Sequence, residues 1–172
     1  MRILGIDPGY GITGFGIVDA QRNNFTLLQY GAITTPAGTD FPLRLQMIYN
    51  DMTELLMVAK PDVVAIEELF FGQNVTTGIG VAQSRGVILL AIRQAGLEVF
   101  SYKPMQVKQA LVGYGNATKH QVQDMTRRLL HLTAMPKPDD AADAIAIALC
   151  HARSSTSLLA LANAKYKVQN AE

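Results

Sequence analysis

Apolar positions recur at two different periods along the chain, and each change of period marks an element. Arg2-Ile3-Leu4-Gly5-Ile6-Asp7 is a short apolar run stopped by Pro8-Gly9, which reads as a buried strand entering a turn. Residues 12–18 and 25–33 read as two further strands separated by the polar turn Gln21-Arg22-Asn23-Asn24, so the first third predicts a three-strand meander. The period then lengthens. Over residues 41–59, Leu45, Ile48, Met52, Leu55 and Leu56 repeat at three- and four-residue steps, predicting a helix that Lys60-Pro61 stops. A strand over 62–67, a loop holding Phe70, Phe71 and Gly72, a helix over about 76–94 and a strand over 98–102 follow. Pro104 suits the first turn of a short helix through about Leu111, and Thr118 with Gln121 has capping-box spacing for a helix reaching His131. A last helix starts at Asp139 or Asp140 and runs to about Ser154.

This order predicts an α/β layer fold around a central five-stranded mixed sheet flanked by helices, with 1–154 as one domain and 155–172 as a polar tail that frays. Right-handed crossovers place the first and fourth strands side by side and parallel, ending on one edge of the sheet. Asp7 and Glu67 close those two strands, and neighbouring strands lie only about 4.8 Å apart. Asp140 and Asp143 are three residues apart on a helix, so they share a face that the same edge can receive.

Clustered carboxylates repel and raise one another's pKa unless cations compensate, so four converging acids point to a hard-metal site, with magnesium as its natural occupant. Two such ions about 4 Å apart are the arrangement of phosphodiester hydrolysis. Each acid also has a plainer reading. Asp7 before Pro8-Gly9 fits an ordinary turn and Asp139 or Asp140 an ordinary N-cap. Glu67 closes the apolar run Val63-Val64-Ala65-Ile66, where an unpaired charge is expensive, and is the hardest to treat as structural.

Composition narrows the field. The chain has 172 residues, 49% of them hydrophobic, enough for one core, and its single Cys150 forms no internal disulfide. No charged-then-apolar leader opens it and no apolar run reaches the ~20 residues of a spanning helix, which points to a reducing, cytoplasmic location. The net charge of +1, taken alone, argues against a nucleic-acid partner, since such domains usually carry a basic excess, but Lys103, Lys108, Lys119, Arg127 and Arg128 fall in a stretch with one acid, Asp124. This is either a basic face or a solvated helix surface. A lysine in the first turn of a helix, as Lys119 would be, opposes the helix dipole and is better placed against an anion.

Gly5-Ile6-Asp7-Pro8-Gly9, Thr13-Gly14-Phe15-Gly16, Ala65-Ile66-Glu67, Gln83-Ser84-Arg85-Gly86, Gln106-Val107-Lys108-Gln109 and Asp140-Ala141-Ala142-Asp143-Ala144 resemble, in order and spacing, the RuvC Holliday-junction resolvases. The resemblance spans roughly residues 1–153. It implies a ribonuclease-H-like fold and a crossover junction endodeoxyribonuclease that resolves four-way DNA junctions in recombination and repair. It also implies a homodimer that places paired symmetric nicks, preferring thymine-containing sites. Asp7, Glu67, Asp140 and Asp143 match the family's catalytic acids, which implies two magnesium ions per site with manganese as a substitute. Lys108 and Lys119 match basic positions near the scissile phosphate. Phe70 matches an aromatic that reaches unpaired bases, where stacking is worth about 1–3 kcal/mol; whether Phe70 or Phe71 faces DNA stays open. The small residues Gly78, Gly80, Ala82, Ser84 and Gly86 fit packing on the sheet or a two-fold helix seam, and the resemblance favours the seam. It further implies partnership with a branch-migration complex of the RuvA and RuvB type.

Two other functions share part of this pattern. The sugar-kinase, actin and heat-shock ATPases also open with an Asp-x-Gly turn followed by Thr-Gly, but they need two lobes where this chain supplies about one domain. A binding module for branched DNA that had lost cleavage would gain affinity by shedding its acids.

Overall fold

The computed structural model of the chain describes residues 1–21, 24–69 and 75–155. Five strands, β1 (Arg2–Asp7), β2 (Ile12–Gln21), β3 (Asn24–Thr34), β4 (Val63–Glu67) and β5 (Val99–Tyr102), form one sheet in the order β3-β2-β1-β4-β5. The first three pair antiparallel as a meander, and β1, β4 and β5 pair parallel, joined by crossover connections. β2 and β3 run beyond their apolar cores because antiparallel pairing continues to Gln21↔Asn24. The expected turn tip at Arg22 and Asn23 lies outside the described residues, as do Phe70, Phe71, Gly72 and the tail from residue 156.

The period of two divides the apolar side chains between two cores. Leu4, Ile6, Ile17, Val64 and Ile66 face α1 (Phe41–Ala59) and α2 (Val75–Gln94), where Ile48, Met52, Ile88 and Ile92 complete one buried cluster. Ile3, Val18, Val63 and Ala65 face the other way, into a cluster with α3 (Pro104–Val112), α4 (Lys119–Leu129) and α5 (Asp139–Ser154). α4 stops short of the expected His131: Leu130 is buried at its end and His131 turns into the left-handed region at φ 53°, sending the chain back toward α5. None of the helices among the described residues is long and apolar enough to cross a membrane.

α5 is the central helix of its layer and is buried along most of its length, and half of its buried residues are alanine. Absent side chains in the sheet, at Gly5, Gly14 and Gly16, allow it to lie this close. A Cβ on Gly5 would stand 2.0 Å from the Ala144 carbonyl oxygen, and one on Gly14 would stand 2.0 Å from that of Asp140. The first turn of α5 therefore rests directly on β2 at the residue paired with Asp7.

A carboxylate pocket at the sheet edge

Strand alternation decides which way the strand-ending acids point. Ile3, Gly5 and Asp7 share one face of β1, Val63, Ala65 and Glu67 share the same face of β4, and that face is the one α5 covers. In the Ile6↔Ile66 register the next residues along the two strands are Asp7 and Glu67. Pro138 is the N-cap of α5, so Asp139 and Asp140 occupy its first turn and neither serves as the cap residue. Asp143 follows one turn on, beside Asp140.

The acids crowd one another. Burial first, then the charges of Glu67, Asp143 and Asp140 and a hydrogen bond to Glu67, push the Asp7 carboxyl up to about 8. Glu67 and Asp143 are both held above the usual carboxylate range, in each case chiefly by burial. Lys119 counteracts this at both. Its Nζ lies 2.9 Å from Asp143 Oδ2 and 3.4 Å from Asp139 Oδ2, and those partners hold its own pKa up. Asp139, which the sequence pattern offered only as an N-cap candidate, thus joins Lys119 at the rim. Lys108 lines the same cleft of about 180 Å³ with Glu67, Lys119 and Asp143. Phe70, three residues beyond Glu67, is outside the described residues.

As they stand, no three His, Cys, Asp or Glu side chains among the described residues are gathered tightly enough to hold a metal ion. The chemistry of the donor set nevertheless fits one. All the candidate ligands are hard carboxylate oxygens, and the crowding that drives Asp7 toward the protonated form is what a divalent cation would relieve.

The turn after β1 is tied down by hydroxyls. Thr13 Oγ1 donates to the Gly9 carbonyl at 2.6 Å, and the buried Ser84 Oγ of α2 donates to it at 3.0 Å. Arg85 Nε donates to the Glu67 carbonyl at 3.0 Å and Arg85 Nη2 to Ser101 Oγ at 2.8 Å. The Gln-Ser-Arg-Gly motif signalled these residues, but nothing in its spacing predicted that they hold the two acid-bearing strand ends.

This edge, with two strand-ending acids facing an acidic helix, occurs in a chain that matches the model for crossover junction endodeoxyribonuclease RuvC over residues 3–151. The chain belongs to the RuvC family. The RuvC of Heliobacterium modesticaldum is 56% identical to it over 156 residues, covering 91% of this chain and 96% of that one. Among solved structures, Thermus thermophilus RuvC superposes with a TM-score of 0.84 at 37% identity, covering 90% of this chain and 95% of that one. The same organism's RuvC in complex with a Holliday junction substrate gives 0.83 at 35% identity, with the same coverage. The fold is thus ribonuclease-H-like and the chain is a nuclease of a metal-dependent family. That membership sets aside the ATPase reading.

Proposed function

We propose that this chain is a structure-selective endonuclease that resolves four-way DNA junctions by paired nicks, with magnesium held by Asp7, Glu67, Asp140 and Asp143. The observation that carries the reading is the placement of Asp7 and Glu67 on the sheet face covered by α5, within reach of Asp143's charge, in a chain of the RuvC family. Two bound magnesium ions, for which manganese can substitute, would supply the charge that activates water and offsets the leaving oxygen.

The chain's own groups do the rest. Asp7 must lose its proton to serve as a ligand, which ties readiness to pH and to metal concentration. Lys119, now paired with Asp143, is placed to turn its ammonium toward a phosphate oxygen at the rim, and Lys108 reaches the same cleft. Both act as point charges. Phe70 is assigned to stacking on bases at the junction centre.

A junction offers two equivalent strands, so symmetric nicks call for two copies of the site. The homodimer seam is assigned to α2, where Ile79 and Leu90 are each 53% exposed and share a face with Gln83 and Gly86. The nuclease domain is assigned to residues 1–154 and residues 155–172 to a tail. A cytoplasmic location and work beside a branch-migration complex of the RuvA and RuvB type complete the reading.

The test is a synthetic four-way junction incubated with the purified protein and magnesium, beside linear duplex and an Asp7→Asn variant. Paired junction nicks by the parent chain, and tight binding without nicks by Asp7→Asn, are expected. Binding without nicks by the parent chain would favour the binding module, and normal cutting by Asp7→Asn would remove Asp7 from the chemistry.

A further inference from the structure

The ladder between the two acid-bearing strands ends for a covalent reason. Val64 N–H donates to the Glu98 carbonyl at 3.0 Å and Glu68 N–H to the Tyr102 carbonyl at 2.8 Å, so even-numbered peptide groups of β4 face β5 and those of Ala65 and Glu67 face β1. In the Ile6↔Ile66 register, the β1 amide that would serve the Glu67 carbonyl belongs to residue 8. Residue 8 is proline and has no N–H. A half-buried backbone carbonyl left without a donor is costly, and Arg85 supplies the donor from α2 at 3.0 Å. Its other hydrogen bond, to Ser101 Oγ on β5, keeps the guanidinium plane in place. Next to it on α2, Ser84 is fully buried and donates to the Gly9 carbonyl, directly beyond the same proline. Two consecutive residues of one helix thus hold the end of β1 and the end of β4 at the point where their own hydrogen bonding stops.

We propose that Ser84 and Arg85 are positioning residues that set the spacing of Asp7 and Glu67 by substituting for the β1–β4 hydrogen bond that Pro8 removes. This rests on the assignment of those acids as metal ligands. It gives the Gln83-Ser84-Arg85-Gly86 motif a role in the site, and it links the site to the α2 face assigned to the dimer seam.

The experiment measures calorimetric binding of Mn2+ to the DNA-free protein, single-turnover junction nicking across magnesium concentrations, and junction affinity in chelator. The parent chain is compared with Arg85→Met, Arg85→Lys, Ser84→Ala and the pair Pro8→Ala with Arg85→Met. Because a misplacement of about 1 Å can cost on the order of 100-fold in rate, Arg85→Met is expected to weaken Mn2+ binding and slow nicking at low magnesium by roughly 10- to 100-fold. Junction affinity should stay within about twofold, the shift expected when charged rim groups are untouched. Ser84→Ala should show the same pattern more weakly. Arg85→Lys keeps the charge and the fold but not the paired donors, and should fall between. Returning an N–H with Pro8→Ala should recover part of the missing Mn2+ affinity. Unchanged Mn2+ binding in folded Arg85→Met or Arg85→Lys protein overturns the proposal. So does a fall in junction affinity that accounts for the slower nicking, which would make Arg85 a phosphate ligand. A parent chain that binds no Mn2+ and cuts no junction would refute the metal-site assignment itself and this proposal with it.

Discussion

Gly14→Ala tests whether the closeness of α5 to the sheet makes the site. The new Cβ would lie 2.0 Å from the Asp140 carbonyl oxygen, 2.3 Å from its carbonyl carbon and 2.9 Å from the Ala141 nitrogen. All three are backbone atoms, so no side chain can swing clear. Non-bonded heavy atoms settle near ~3.5 Å, so the first turn of α5 must retreat by roughly 1–1.5 Å. That turn carries Asp140, with Asp143 one turn behind it, while Asp7 stays on the strand paired with Gly14. A displacement of about 1 Å predicts a fall in nicking on the order of 100-fold. Overpacking of this kind costs about 1–3 kcal/mol, and at about 2–4 °C per kcal/mol the melting temperature should drop by roughly 2–12 °C. Single-turnover nicking well below the melt, with thermal unfolding followed by circular dichroism, reads both quantities. Gly96→Ala is the control: at φ +73° it strains the backbone after α2 without meeting any atom within 4 Å, so it should lose stability and keep its nicking. Nicking by Gly14→Ala within threefold of the parent, or an equal loss in Gly96→Ala, would refute this reasoning.

Lys108→Ala and Lys119→Ala should each slow cleavage and lower the slope of log binding constant against log salt by about 0.9 for each phosphate no longer neutralised; unchanged slopes would mean that neither lysine meets a phosphate. Asp7, raised to about 8 from an ordinary 3.8, contributes stability at acid pH that is lost as pH rises through about 8. Magnesium takes the proton's place, so its gain in melting temperature should be larger at pH 8 than at pH 6.5, and a gain independent of pH would count against ligation by Asp7. His151 behaves oppositely. Buried beside Phe100, with Nδ1 2.8 Å from the Tyr102 hydroxyl, it is lowered by burial from 6.5 to about 4, so stability is lost as pH falls from 6.5 toward 4. At about 1.4 kcal/mol per pH unit this amounts to about 3 kcal/mol, and His151→Gln should flatten the melting curve over that window relative to the parent. A pH profile identical to the parent's would show that His151 is not the group responsible.

The acids and their elements were legible in the chain because both depend on short-range periods. Odd positions of Arg2–Asp7 and Val63–Glu67 lie on one face whatever else the protein does, so Asp7 and Glu67 had to point the same way once their strands were neighbours. Thr118 and Gln121 announced the start of α4, and the capping bonds are present, with the Gln121 amide reaching Thr118 Oγ1 at 3.3 Å. Tertiary structure decided the rest. Gly14 stood in the Thr13-Gly14-Phe15-Gly16 motif with no role attached to it, and only the docking of α5 shows that its missing side chain admits the Asp140 carbonyl. The pairing of Lys119 with Asp143 and the reach of Arg85 to Glu67 join residues 24 and 18 positions apart by packing, with no local pattern between them. The charge state of Asp7 followed the same rule, since burial and neighbours from two other elements, β4 and α5, set it. Local periods determine which face a side chain takes, while the low-dielectric surroundings that tune its chemistry exist only after distant segments have packed.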